Sequence, residues 1–545
     1  MTTSRRSFLR TTGGALLGLA CVPAVLPASR RRADIIIRGG TVFDGMGTPG
    51  IESDIAMTGA WISAVARRIP DRAALEIDAR GLAVAPGFID IHSHADGSLF
   101  QDPRAESVIR QGVTTIVVGQ DGSSRVPGGG RGEQPSESFD ALFARFDGAS
   151  SAVNVASMIG LGTVRGFVVG GADRPATPDE IRRMTALVER AVAEGACGAS
   201  SGLEYTPGGF ATRDELIALC RPLAPRRLPY ATHMRNEDDR LLDSIDESIA
   251  VARGAGCPLQ ISHLKTQGPR NWGKLDEVFA RVETAVRGGL DVAFDRYPYI
   301  AYQTGLTNLF PIWSREGGTA AFLARIDASD TGARIRAETL AKVALIGGWN
   351  NVMIANVSNA ADERAEGARL GTYAASQGVD PYEMAVGLLR RSGGSVGMVG
   401  FAMSEENLDR ILAHPRGMVC SDGGGYAASG PTRSGHPHPR GLGSFPRVLA
   451  RYVRERRALT LPQAINKMTA LPASRLRIAD RGRLATGLAG DVVVFDPATV
   501  TDRATYAEPF QYPTGIKAVL VNGTVALLDN ARDGRPAGRS VRPSA

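Results

Sequence analysis

An eight-stranded parallel β/α barrel joined to a small β-sandwich is the fold class that this chain of 545 residues predicts. Three observations carry it. Short apolar runs alternate with helical patterns through the middle of the chain. Strand-like pieces punctuated by Gly and Asp flank that middle on both sides. The apolar runs tend to end in histidine or aspartate, where a barrel keeps its functional groups.

The flanks come first in the chain. "ADIIIRGGTVFDG", "ESDIAMTGAWISAVA" and "ALEIDARGLAVAPG" read as hairpin strands, and "ADRGRLATGLAGDVVVFDPATV" with "GIKAVLVNGTVAL" returns the pattern near the C-terminus. The expectation is one sandwich domain built from residues 33–85 and 476–530, with two unrelated β appendages as the alternative. Residues 531–545 read as a tail.

Between the flanks, residues 86–475 read as a (β/α)8 TIM-like barrel. Its runs are "GFIDIH", "GVTTIVVG", "VNVASMIG", "GACGASSG", "LPYATH", "PLQISH", "LDVAFD" and "GMVCSD". Helical stretches such as "TPDEIRRMTALVERAVAEG" and "DDRLLDSIDESIAVARGAG" separate them, the first with a Thr/Asp start and acids in its first turn. Two segments exceed a minimal barrel. Residues 121–138 form a Gly/Pro/Ser-rich loop, and residues 300–414 form a long insertion containing the strand-like "NNVMIA". Long additions after barrel strands commonly cover the site, so the insertion reads as a lid.

Charge excludes one class of function. The formal net charge is +7, yet Arg5, Arg6, Arg10, Arg30, Arg31 and Arg32 contribute six of it within the first 32 residues, where there is no acid. The remainder carries +1, which leaves no basic field for a nucleic acid. That N-terminus, "TSRRSFLRTTGGALLGLACVPAVLPASRRR", reads as a twin-arginine export signal ending near Ala28. Its apolar run is too short and Gly-rich for a membrane span, and Cys21 is a poor lipidation site. The expected location is periplasmic or extracytoplasmic, with a small-molecule substrate as partner. Cys197, Cys220, Cys257 and Cys420 show no C-x-x-C spacing and read as small buried hydrophobes.

The ends of the runs carry the chemistry. His92 and His94 close the first, Asp121 follows the second, His233 and His263 close the fifth and sixth, and Asp422 closes the eighth. Four of the chain's seven histidines thus gather, with two carboxylates, at one end of a barrel. Imidazole and carboxylate ligands suit zinc. Six ligands are too many for one catalytic ion with an open position and suit two adjacent ions sharing a carboxylate, so one or two Zn2+ are expected. Such ions lower the pKa of a water toward neutrality, and Asp422 is placed to take its proton and pass it to a leaving group.

"APGFIDIHSHAD", "GVTTIVVG", "SSGLEYTPG", "ATHMRNE", "ISHLKTQG", "DRYPY", "CSDGG" and "HPRGLGSFPRVL" together resemble the N-acyl-D-amino-acid deacylases of the amidohydrolase superfamily, from about Ala33 to Leu528. The resemblance implies zinc-dependent hydrolysis of a linear amide and a bacterial origin. It implies that His92, His94 and Asp422 hold the more exposed metal and that His233 and His263 hold the tighter one. The departure is Asp121, where many relatives carry cysteine and some glutamate. Lys265 and Arg235, each two residues after a histidine ligand, are read as substrate-facing cations. Tyr205 and Tyr297 are candidates for contact with the scissile carbonyl or the substrate carboxylate. Ser421, His438 and Arg440 are weaker substrate candidates, and Asp295 is read as orienting a histidine. The rival readings are a dipeptidase or cyclic-amide hydrolase with the same centre, and a non-catalytic zinc- or ligand-binding protein.

Overall fold

The computed structural model describes residues 33–129, 135–532 and 536–544. The export signal and Cys21 lie outside the described residues. No helix among those described is long and apolar enough to cross a membrane.

The eight apolar runs are the eight barrel strands: β1 (Phe88–Asp90), β2 (Val113–Val118), β3 (Asn154–Ser157 continuing as Ile159–Gly160), β4 (Ala199–Gly202), β5 (Tyr230–His233), β6 (Leu259–Ile261), β7 (Val292–Arg296) and β8 (Gly417–Val419). Each pairs in parallel with the next, from Ile89 against Thr115 to Phe294 against Gly417. The ring closes just beyond the strand ends. Ser93 bridges Gly423, the His94 amide donates to the Gly423 carbonyl at 2.9 Å, and the Asp422 amide donates to the His92 carbonyl at 2.8 Å. Strands covered on both faces read as continuous apolar runs, which is why β2, "VTTIVV", is buried throughout.

The intervening helices begin and stop where their end residues direct. Helix Pro178–Ala193 starts on a reciprocal capping box between Thr177 and Glu180, with Pro178 at its first position. It buries Met184, Val188, Ala191 and Val192. Helix Leu241–Ala255 ends at Gly256, whose φ of 75° is a left-handed terminus that glycine adopts without strain.

Both chain ends meet in one nine-stranded sheet, because Ala83–Pro86 pairs antiparallel with Val492–Phe495. The expected sandwich is thus one continuous sheet folded over on itself, with Ile37, Met57, Val84 and Val494 packed inside. Trp61 bridges Ala489, and strand Ala33–Val42 pairs with Ala73–Asp78 along its first half and with Ala83–Pro86 at its end. The last residues are not a free tail. The Val155 amide donates to Arg539 and the Val541 amide to Val155, which adds the segment to the side of β3.

The insertion between β7 and β8 builds its own three-stranded sheet from Ala301–Gly305, Val396–Phe401 and Val352–Val357. Its apolar residues share a core cluster with barrel residues including Ile91, Val117, Met158 and Tyr297. That contact holds the insertion over the mouth of the barrel. The four described cysteines are buried and free, as small core residues would be.

Candidate metal centre

Three of the six residues gathered at the barrel mouth have backbones that L-residues rarely adopt. Asp121, His263 and Asp422 have φ of 50°, 36° and 49°. Such conformations persist only where the surroundings over-determine them, and they cluster at functional sites. Here the surroundings are specific. Asp295 accepts the His263 amide at 2.8 Å, and the Gly122 amide donates to Ser200 at 3.0 Å. A Cβ at Gly202 would sit 2.1 Å from the Asp121 carbonyl oxygen, so glycine there lets the β2 loop close over β4. Residues 121–122 thus form an Asp-Gly turn that aims the Asp121 carboxylate.

That carboxylate lies at the centre of two donor groups. The first comprises His92, His94, Asp121 and Asp422, and the second Asp121, His233 and His263, each with its ligand atoms within 4.8 Å of one another. In the first, His92 Nε2 is 3.4 Å from Asp121 Oδ1 and His94 Nε2 is 3.1 Å from Asp422 Oδ1. In the second, Asp121 Oδ2 is 3.5 Å from His233 Nδ1 and 3.3 Å from His263 Nε2, and the two imidazole nitrogens are 3.0 Å apart. His94 is the most exposed of the four histidines, with its side chain 35% accessible against 0%, 6% and 1% for His92, His233 and His263. The first group therefore opens to the cavity through His94, with His92 sealed behind it, while His233 and His263 line the cavity floor.

The donor set fits zinc on two counts. His92 Nε2 and Asp121 Oδ1 are buried without a hydrogen-bond partner, an arrangement that is costly unless an ion takes them. The field of the site also favours a cation. Burial works against a charged His94, yet Asp121 and Asp422 raise its pKa to about 9. Burial likewise opposes a charged His233, which Glu237, Asp121 and Glu204 raise to about 10. A field that holds protons on buried imidazoles stabilises a divalent ion by the same Coulomb attraction.

Beyond the donors, carboxylates face the far side of three rings. Asp295 Oδ1 lies 3.4 Å from His92 Nδ1, Glu237 Oε1 3.1 Å from His263 Nδ1, and Glu204 Oε2 3.5 Å from His233 Nε2. Outer carboxylates of this kind fix the tautomer and direction of a ligating histidine. Asp295 thus takes the place read for it in the sequence. Glu204, His233 and Glu237 also form a third cluster of potential ligands. Its counter-charge is already supplied, since Lys265 binds both oxygens of Glu237 at 2.7 Å and Lys342 stands 4.0 Å from Glu204. It orients a ring.

The centre opens into a cavity of about 730 Å³, walled on its far side by the insertion. Tyr205, Tyr297, Lys265 and Arg440 line it, as the sequence reading expected. The Tyr205 hydroxyl is 3.5 Å from His233 Nδ1, and the buried Tyr297 hydroxyl has no hydrogen-bond partner. Arg440 Nη1 donates to Asp422 Oδ2 at 2.5 Å, and its Nε has no partner. Burial opposes ionisation of Asp422, yet Arg440 and His92 hold its pKa far below the ordinary range. Lys265 is a correction in part, because its ammonium is committed to both oxygens of Glu237, the carboxylate that faces His263 Nδ1. Its effect on substrate passes through those two residues.

Three of the expected substrate contacts do not reach the site. Arg235 turns outward, bonded to Glu247 at 3.0 Å and to the carbonyls of Gly209 and Ala211 at 2.6 and 2.9 Å. Ser421 donates its hydroxyl to Asp90 and receives the Gly423 amide at 3.1 Å, tying β8 to β1. His438 packs away from the cavity, with Nε2 on the Ala301 carbonyl at 3.0 Å. Arg235→Met should therefore cost about 1–3 kcal/mol of stability through lost charged hydrogen bonds. A thermal midpoint that falls while KM stays within about threefold would agree, and a KM rise of more than about tenfold, some 1.4 kcal/mol, would return Arg235 to the site.

A family model described as the amidohydrolase family matches residues 75–309 and 432–527. D-aminoacylase of Alcaligenes xylosoxydans xylosoxydans is 34% identical over 528 residues, covering 94% of this chain and 98% of that protein. The chain belongs to the amidohydrolase superfamily, in its N-acyl-D-amino-acid deacylase subgroup. N-acyl-D-glutamate deacylase of the same organism is 36% identical over 531 residues, covering 95% of this chain and 98% of that protein. In three dimensions, N-acyl-D-glutamate deacylase from Bordetella bronchiseptica, solved with zinc and a phosphonate mimic of the tetrahedral intermediate, superposes with a TM-score of 0.80. It shares 35% identity, and the match covers 94% of this chain and all of that one. Like these deacylases, the protein is a zinc-dependent hydrolase of the amide bond in an acyl-amino acid, with a mono- or binuclear centre.

Proposed function

We propose that the protein deacylates N-acyl-D-amino acids, releasing a carboxylate and a free D-amino acid. The observation that carries the reading is the Asp121 carboxylate shared by two imidazole groups at the floor of the cavity, with Asp422 on its open side. The D hand rests on the relatives, a D-aminoacylase and an N-acyl-D-glutamate deacylase at 34% and 36% identity.

In this reading His92, His94 and Asp422 would hold an outer ion and His233 and His263 an inner one, with Asp121 available to each. Bound zinc supplies Lewis acidity and makes a water acidic enough to ionise near neutral pH. Asp422 takes a proton from the attacking water as its oxygen adds to the amide carbon. The Tyr205 hydroxyl donates to the carbonyl oxygen as negative charge grows there. The C–N bond then breaks, and Asp422 returns the proton to the departing amine. Arg440 and Tyr297, each with an unpaired polar atom, hold the substrate carboxylate.

We also read the twin-arginine N-terminus as an export signal that places the working enzyme outside the cytoplasmic membrane. The test of the chemistry is hydrolysis of N-acetyl-D-amino acids, their L counterparts and dipeptides by the zinc-loaded protein. Release of D-amino acids at least about 100-fold faster than of L-amino acids, some 2.7 kcal/mol of discrimination, is the expected result. Turnover of dipeptides alone would make it a dipeptidase.

A further inference from the structure

We propose that the hydrogen bond between Asn308 and Glu204 is a wall that bars N-acyl amino acids with an acidic side chain from this enzyme. The inference rests on the deacylase reading above.

The cations of the cavity allow for one carboxylate. Lys265 and Arg440 are the only lysine and arginine among its described lining residues. Lys265 is engaged by both oxygens of Glu237. Arg440 gives Nη1 to Asp422 and keeps Nε unpaired, and its guanidinium lies 4.7 Å from the centre of the Tyr297 ring, whose hydroxyl is also unpaired. Arg440 and Tyr297 serve the carboxylate that every N-acyl amino acid carries. A second carboxylate, on the side chain, would meet the acidic Glu204 and Glu237 or the neutral groups of the insertion. Burying it without a counter-charge is costly.

A suitable cation lies next door. A second cavity of about 280 Å³ shares two lining residues with the first, Glu204 and Asn308. Asn308 Nδ2 donates to Glu204 Oε2 at 3.0 Å, which closes the partition between them. Arg315 lines the second cavity. Among the described residues its guanidinium makes one hydrogen bond, from Nη2 to the Glu204 carbonyl at 2.9 Å, and Nε has no partner. The other two cations there are spent, Arg235 on Glu247 and Lys342 on Asp238 at 2.5 Å. Arg315 therefore stands as an anion receptor on the wrong side of the wall.

N-acetylglutamine and N-acetylglutamate have nearly the same shape and differ in charge, so they isolate the effect. In the hand that the enzyme cleaves, kcat/KM for the glutamine substrate should exceed that for the glutamate by at least about tenfold. Asn308→Gly removes the wall and should raise the glutamate-to-glutamine ratio by at least about tenfold, and adding Arg315→Met should reverse the gain. Zinc content and thermal midpoint of each variant confirm that it is folded, and Asn308→Ser serves where the glycine variant is not. Glutamate used as well as glutamine by the parent, or a ratio unmoved in the folded Asn308 variant, would overturn the wall. Failure to cleave either amide at full zinc loading would instead overturn the deacylase reading and this inference with it.

Discussion

Asp422→Asn should lower kcat by about 10²–10⁴-fold, the range that general acid–base groups contribute, while leaving the inner zinc in place. Asparagine keeps the shape of the side chain and one oxygen that can accept from Arg440, so the contact at 2.5 Å survives in neutral form. What it loses is the basic oxygen that takes up a proton. Asp422 belongs to the outer donor group and not to the inner one, so His233, His263 and Asp121 stay intact. Alanine would be the poorer choice, because it leaves the buried Arg440 charge uncompensated. Elemental analysis beside single-turnover kinetics separates the two effects. A variant within tenfold of the parent in kcat would remove Asp422 from proton transfer.

The barrel was legible because buried parallel strands must be apolar, and a polar residue closing such a run stands out. All eight runs, and the six residues around the centre, could be read in this way. The errors came where a strand was assumed to continue. Arg235 and Lys265 were placed beside His233 and His263 by the two-residue alternation of a β-strand. In fact β5 ends at His233 and β6 at Ile261, two residues before His263, whose φ is positive. Beyond those points alternation has no force, so Arg235 turns to Glu247 and Lys265 to Glu237. Glu204 and Glu237 went unread for the same reason. Both lie in loops beyond β4 and β5, and the four-residue spacing of His233 and Glu237 was the one signal available. Ser421 was misread from adjacency alone. It precedes Asp422, but its hydroxyl turns to the buried Asp90, whose pKa burial raises to about 6 against the pull of Ser421 itself.

Asp121→Ala should have the largest effect on metal content, because it alone belongs to both donor groups. The loss strips one ligand from each site and leaves His92, His94, His233 and His263 facing one another without the central negative charge. Burial opposes ionisation of Asp121, yet His92 and His263 hold its pKa well below the usual carboxylate range, so at neutral pH it is an anion that any bound cation feels at full strength. Removing an outer-shell partner typically costs about 10–100-fold in metal affinity, and a shared inner ligand should cost more than about 100-fold. Competition with a chelator, followed by elemental analysis, reads this without any assay of turnover. The parent should retain about two equivalents, as expected for a shared carboxylate between two ions, and the variant at most one. Asp121→Glu is the informative companion, since its longer stem keeps the charge but moves the carboxylate from the position that the left-handed turn at Asp121 sets. A rescue of zinc content by glutamate would locate the requirement in the charge. Failure to rescue would locate it in the turn, and an alanine variant that holds both ions as tightly as the parent would reduce Asp121 to a turn residue.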